Sequence, residues 1–362
     1  MYIYSIAHIS NQEPFSDAWF HHPLVYDCPY VYAVEPDFKT YIAPMAARRM
    51  GTVLKRTLTT ALHVVKETGI ENPDAIITGT GLGCVEETEK FMAAMMETGE
   101  ELLPPTHFMQ STHNTISSQI ALYLKCNGYN STYSHAGISF DSALLDAFMQ
   151  FRLGEISTAL INGFDELTPR MASILNRINL WKQGEISYQT LHKGDTPGLF
   201  GGECSISFML GNLPNKNPSC PSCPSCPSCQ IKAVELLYKP TTEQFTAKVE
   251  HLLQENNLSI EDIDAMVIGA NGDVNNDLVY KKIHTDVYPD IPLVWYKHIF
   301  GESFVASGLG LYVAATILQK QSIPNHLQYT PNTKNNKLQN ILLYNHYQNK
   351  DHSLILLSSC FD

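Results

Sequence analysis

Tyr133-Ser-His-Ala-Gly137-Ile-Ser139-Phe140-Asp-Ser-Ala-Leu144 leads through an unbroken helical pattern to Arg152-Leu-Gly154-Glu155 and then to Thr158-Ala-Leu-Ile-Asn-Gly163-Phe-Asp-Glu166. Phe140, Leu144, Ala147, Phe148 and Phe151 recur at i, i+4, i+7, i+8 and i+11, which puts them on one apolar face of a helix, and Gly154 follows as a C′ stop. A strand at Thr158–Ile161 comes next. His135, Ser139 and Ser142 are the nearest side chains able to act as nucleophiles, and Ser139 falls in the first helical turn. Ser139 is the best placed of the three, although a first-turn hydroxyl also serves to bond the helix backbone.

This stretch resembles the active-site elbow of the β-ketoacyl synthases. That family reads Thr-Ala-Cys-x-Ser-Gly, then an amphipathic helix, then Arg-x-Gly-Asp/Glu and a strand ending Gly-Gly-x-Glu. Counting back from Gly154 and Gly163 without a gap puts Gly137 at the cysteine. A condensing enzyme needs a thiolate there, stabilised by the helix N-terminus, and glycine supplies none. Two further blocks give the same answer. Ile263-Asp264-Ala-Met-Val-Ile-Gly-Ala270-Asn271-Gly272-Asp273 answers the family's His-Gly-Thr block with Asn271 at the histidine. Lys297-His298-Ile-Phe-Gly301-Glu302-Ser-Phe-Val-Ala306-Ser307-Gly308 answers Lys-Ser-x-x-Gly-His, keeping Lys297 and placing Glu302 at the second histidine. Neutral imidazoles there donate to a thioester oxyanion, whereas a carboxylate only accepts; Asn271 retains a donor. Near the end, His346-Tyr347-Gln348-Asn349-Lys350-Asp351 replaces a Gly-Phe-Gly-Gly-Thr-Asn loop, so the acyl tunnel mouth is altered. Ala47-Arg48-Arg49-Met50-Gly51 and Gly198-Leu-Phe-Gly201-Gly202-Glu203 extend the resemblance across most of the chain.

The resemblance implies a thiolase-like α/β fold with five layers, α-β-α-β-α, built from two similar halves. The halves are expected at 1–212 and 232–362, with a linker at 213–231. Strand-like runs at 75–78, 158–161, 205–210, 265–268, 293–295, 341–343 and 354–357 alternate with helical patterns at 53–65, 86–96, 140–153, 245–255 and 309–318, which independently argues α/β layering. The linker holds Pro-Ser-Cys repeated, with Cys220, Cys223, Cys226 and Cys229 at Cys-x-x-Cys spacing. Such spacing suits zinc or iron–sulfur sites, but a strict triplet repeat rich in proline reads as an extended linker. No cofactor is expected.

A 362-residue chain with 44% hydrophobic residues can bury a large core, and its net charge of −12 disfavours nucleic acid and anionic lipid. No apolar run reaches the roughly 18–20 residues of a membrane span, and the start lacks a signal-peptide form, so the cytoplasm is the expected compartment. The same acidity opposes an acidic carrier protein, which would dock on a partner or on a basic patch such as Arg48, Arg49, Lys55 and Arg56.

Taken with the resemblance, these residues describe a non-catalytic subunit akin to the chain length factors of type II polyketide and aryl-polyene systems. Such a subunit pairs as a heterodimer with an active β-ketoacyl synthase, served by acyl carrier protein, and shapes its acyl tunnel; a homodimer is the simpler alternative. The resemblance places the dimer strand at about Asn130–Ala136, and names His113, Phe140, Leu144 and Tyr347 as pocket residues. An independent acyltransferase using Ser139 is the competing reading.

Overall fold

Residues Tyr2–Ile9 form strand β1, followed by β2 (Ala75–Gly79), β3 (Tyr129–Tyr133), β4 (Thr158–Asp165), β5 (Cys204–Gly211), β6 (Cys229–Tyr238), β7 (Ala265–Ile268), β8 (Leu293–Trp295), β9 (Asn340–Tyr347) and β10 (Asp351–Ser359). The computed structural model describes residues 1–99, 101, 103, 105–212, 229–332 and 337–360. All ten strands join one sheet in the order β3-β2-β4-β5-β1-β6-β10-β9-β7-β8. The two halves of that order mirror one another. If the strands of each half are numbered from one to five, both read 3-2-4-5-1 outward to inward, and the first strands meet at the centre through Tyr2 and Gln230. Strand directions repeat as well, with parallel pairing around β2 and β7 and antiparallel pairing from β4 to β5 and from β9 to β10. This internal duplication is invisible in the residues themselves.

Among the described residues seven longer helices complete the layers: α1 (Thr52–Thr68), α2 (Val85–Thr98), α3 (Thr115–Leu124), α4 (Ser139–Leu153), α5 (Thr242–Glu255), α6 (Val274–Asp286) and α7 (Ala306–Lys320). Because successive strand residues point to opposite faces, each half of the sheet feeds two cores. Ala75, Ile77, Ala159 and Ile161 join α4 and α7 in a central core that also takes Val267, Val294, Leu343 and Ile355 from the other half. Their neighbours Ile76 and Leu160 pack outward on α1 and α3, and Met266, Ile268, Leu342 and Leu354 pack outward on α5 and α6. The result is the expected five-layer arrangement, with α4 and α7 in the middle.

The helix over 140–153 forms as its spacing predicts, and Gly154 ends it in the left-handed region at φ 73°. Two expectations need correction. The strand before the elbow stops at Tyr133, and Ala136 already belongs to a short 3-10 turn, Ala136–Ile138. In addition, Cys229, Gln230 and Ile231 are strand residues rather than linker, with Cys229 fully buried in the central core.

Candidate functional site

β3 delivers the chain to a strained corner. Ala136 adopts φ 44°, a conformation that L-residues with a Cβ rarely take, immediately before Gly137. Ser139 holds this corner: its hydroxyl donates to the Ala136 carbonyl (2.7 Å) and accepts from the His135 N–H (2.8 Å). Both of its bonding roles are thus spent on the backbone and the side chain is fully buried. No general base touches it, which removes the geometric basis for Ser139 as a replacement nucleophile. Ser142 likewise donates to the Ile138 carbonyl (2.8 Å).

Gly137 sits beneath an aromatic ring. A Cβ built on Gly137 would lie 2.5 Å from Tyr347 Cγ and 2.6 Å from its Cβ and Cδ2, so any side chain at this position collides with Tyr347. That tyrosine ends β9, at the start of the turn Tyr347–Lys350, which is closed by the Lys350 N–H donating to the Tyr347 carbonyl (3.0 Å). Gln348 and Asn349 occupy left-handed positions, φ 53° and 51°. The backbone therefore keeps a shape that glycine favours, although the glycines are gone. Phe304 meets the Tyr347 ring edge-on at 5.5 Å and covers Gly81 from the opposite side. Burial raises the Tyr347 hydroxyl above its ordinary pKa, and the nearby Glu302 and Asp351 carboxylates push it the same way.

The three positions read from the second and third blocks do come together. Glu302 Oε2 accepts from Lys297 Nζ (2.7 Å) and from Asn271 Nδ2 (2.7 Å). Lys297 is buried and Glu302 is mostly so. Glu302 is placed by its backbone, which pairs with the glycine turn through the Glu302 N–H to Phe200 carbonyl (2.8 Å) and Gly202 N–H to Glu302 carbonyl (2.9 Å) bonds. Asn271 is fixed from all sides: buried Asp277 accepts its N–H (2.9 Å), and its Oδ1 accepts from Asp273 N–H (3.1 Å). The Asn271 amide, whose donor the sequence offered to an oxyanion, bonds Glu302 here. A carboxylate occupies the centre of the cluster and takes one donor from each neighbour.

Other expected site residues fall elsewhere. Phe140 and Leu144 are fully buried in the central core, Phe140 wedged among Gly163, Gly308 and Phe208, so neither lines an open pocket. Their periodicity reports packing. His113 is exposed and rests on Gly83. Arg56 cannot serve a basic docking patch, since its guanidinium is buried in ion pairs with Glu35 and with Glu203 (2.9 Å), while Arg48 and Arg49 remain exposed. Cys220, Cys223 and Cys226 lie outside the described residues; among the described residues no group of three or more His, Cys, Asp or Glu is arranged to hold a metal. Nor is any described helix long and apolar enough to cross a membrane. Sequence reading missed Phe304 and Asp141. Asp141 alone left a signal, an acid in the first turn of a helix whose neighbours are apolar.

The sequence model described as "Beta-ketoacyl synthase, N-terminal domain" matches residues 26–177. No curated protein sequence matches the chain. Among solved structures, the ishigamide ketosynthase/chain length factor is similar at TM-score 0.82 with 17% identity over 99% of both chains. The ketosynthase ApeO in complex with its chain length factor ApeC, from Xenorhabdus doucetiae, is similar at TM-score 0.72 and 14% identity, covering 99% of this chain and 98% of that one. A type II polyketide acyl carrier protein in complex with its ketosynthase, AntDE:AntF, gives TM-score 0.72 and 12% identity over 99% of each. At these identities the likeness is one of fold.

Proposed function

We propose that this protein is a non-condensing subunit which pairs with an active β-ketoacyl synthase, a reading supported by the match of residues 26–177 to the β-ketoacyl synthase N-terminal domain and by the ketosynthase fold of the chain. The observation that carries the reading is Tyr347 lying over Gly137, in the space a nucleophilic side chain needs. Acyl transfer requires an activated nucleophile at that corner and oxyanion donors beside it. Here the corner holds a ring, and the flanking positions hold Lys297 and Asn271 bonded to the Glu302 carboxylate.

Pairing is supported by the open side of β3. Among the described residues this strand bonds only to β2, so its other side offers unpaired main-chain groups, and Tyr129 on the strand with Leu122, Met149 and Leu153 on the adjoining helices exposes large apolar surface. Strand addition across a two-fold axis satisfies such an edge. The partner then supplies the chemistry and receives the acyl carrier protein, and this subunit bounds the cavity in which a polyketide, polyene or fatty acyl chain grows.

Reconstitution tests the reading. The chain is co-purified with a ketosynthase and each is assayed alone and together with malonyl and acyl carrier thioesters, with intact-mass spectrometry of every subunit. The expected outcome is product only from the pair, with acyl adducts only on the ketosynthase. An adduct on this chain, above all at Ser139, overturns the proposal in favour of an independent acyltransferase.

A further inference from the structure

The turn that carries Tyr347 is held from the opposite face of β9. Adjacent strand residues point to opposite sides, so Tyr347 faces Gly137 while His346 faces α6. β7 pairs with β9 only as far as Tyr344, and beyond that residue this side of the strand needs other partners. α6 supplies them. The Tyr280 hydroxyl accepts the His346 N–H (3.1 Å), the Tyr280 ring lies 4.7 Å from the imidazole, and the Asn276 carbonyl lies 3.0 Å from His346 Nε2. On the other side of the imidazole, Nδ1 accepts the Asn349 N–H (3.2 Å). A carbonyl only accepts and an amide N–H only donates, so these two partners demand a neutral ring with its proton on Nε2. Burial favours the same neutral form, lowering the His346 pKa from 6.5 to about 3, and His352 and Lys297 push the same way.

Asn349 follows Gln348 in the left-handed region, between Tyr347 and the Lys350 N–H that closes the turn. Residues with a Cβ disfavour that region, so such a turn persists where other contacts hold it. The His346 imidazole is one of those contacts, and it joins α6 to the turn that begins at Tyr347. In the loop that this segment resembles, glycine stands at position 346 and has no side chain to make the link. We propose that His346 is the positioning residue that fixes Tyr347 over Gly137, with Nε2–H anchored on the Asn276 carbonyl and Nδ1 holding the Asn349 N–H. This role rests on the reading of Tyr347 as the residue that closes the elbow corner, whether or not the chain pairs. The closed corner then belongs to two residues acting together, the phenol ring and the imidazole behind it.

A double-mutant cycle on the lone chain tests this through unfolding equilibria in denaturant. Gly137→Cys drives a side chain against Tyr347 and should raise the unfolding constant about tenfold. In a His346→Leu background Tyr347 is free to yield, so the same substitution should raise it by less than about threefold. His346→Asn keeps an oxygen acceptor near the Nδ1 position and should restore the full cost. Equal costs of Gly137→Cys in the native and His346→Leu backgrounds overturn the proposal, because a merely structural histidine changes stability without coupling to position 137. A cost that stays as low in His346→Asn as in His346→Leu also overturns it, and would assign the effect to the bulk of the ring. Should His346→Leu fail to fold, nitrogen-15 NMR of the histidine-labelled native chain at neutral pH decides, with the His346 signals identified by their loss in His346→Asn. Protonated Nε2 and unprotonated Nδ1 are expected; a proton on Nδ1 contradicts the assignment. No ketosynthase is present in these samples, so additive costs would leave the pairing test standing, and a failed reconstitution would leave a coupled cycle standing.

Discussion

β3 and β8 are equivalent strands, the third of each half and the two ends of the sheet, yet they are finished in opposite ways. β8 reads Leu-Val-Trp, is buried on both faces and is capped by the segment 328–330: Tyr329 and Thr330 N–H groups donate to the Leu293 carbonyl (2.9 and 3.2 Å), and Thr330 Oγ1 accepts from the Leu293 N–H (2.8 Å). β3 reads Tyr-Asn-Ser-Thr-Tyr, is exposed to half-exposed along its length, and nothing among the described residues pairs with its outer side. Tyr129 N–H donates to Asp74, and Tyr133 accepts from Thr80, so the alternate residues Asn130 and Thr132 aim their main-chain groups outward. Identical topology therefore closes one end within the chain and leaves the other open among the described residues. The polar composition of β3 limits indiscriminate edge pairing, and the exposed apolar side chains around it fit the pairing proposed above.

Breaking the closed end should cost the lone chain most. Trp295 is fully buried against His298 and Tyr329, so Trp295→Ala should remove about 3–5 kcal/mol of stability in denaturant titrations. At the open end, Asp165 anchors the turn after β2 by accepting from Thr80 Oγ1 (3.0 Å) and the Gly81 and Leu82 N–H groups (3.0 and 2.9 Å), and burial lifts its carboxyl to about 7 from 3.8. The folded chain thus keeps a proton that the unfolded chain releases. This contribution is fully present below about pH 4, falls by about 1.4 kcal/mol for each pH unit as pH rises to about 7, and is constant above. Asp165→Asn should flatten that part of the stability profile. Glu166, also lifted to about 7 by burial, slopes the same way, and His8, lowered to about 4, the opposite way, so the difference between native and variant curves isolates Asp165.

Smaller effects sharpen the contrast at the elbow and the free edge. Gly137→Cys should destabilise by about 1–3 kcal/mol because its side chain meets Tyr347, and adding Tyr347→Ala should recover part of that. Neither variant should condense acyl units, as intact-mass spectrometry and product analysis would reveal. Thr132→Pro should alter melting of the isolated chain least, since it removes an outward N–H and spares the bonds to β2. It should nevertheless abolish co-purification with the ketosynthase; persistence of the complex would dissociate the open edge from pairing.

Legibility followed the range of the interactions. The helix over 140–153 and its Gly154 stop were readable because periodicity and capping act within a few turns. Strand β1 and helix α6 were not read: the first opens the chain without flanking turn signals, and Val274–Asp286 has little amphipathic contrast because polar residues such as Asp277 are buried. Gly137, Asn271 and Glu302 were located by counting within motifs, but counting assigned no partners. That Asn271 and Lys297 both donate to Glu302 depends on two loops meeting. Phe140 and Leu144 had the same apolar spacing that either core or tunnel residues would show, and the burial of α4 between the two halves of the sheet made them core.

By itself, the sequence determined the α/β alternation, the helix over 140–153 with its Gly154 stop, and a glycine at position 137, because these are properties of residue type at fixed local spacing. Only the tertiary structure decided that Tyr347 fills the place left at Gly137, that Ser139 is consumed by its own backbone, and that β3 stays open while its counterpart β8 is sealed. Each depends on which distant segment arrives at a surface, and burial, steric exclusion and hydrogen-bond satisfaction are settled only when that segment is in place.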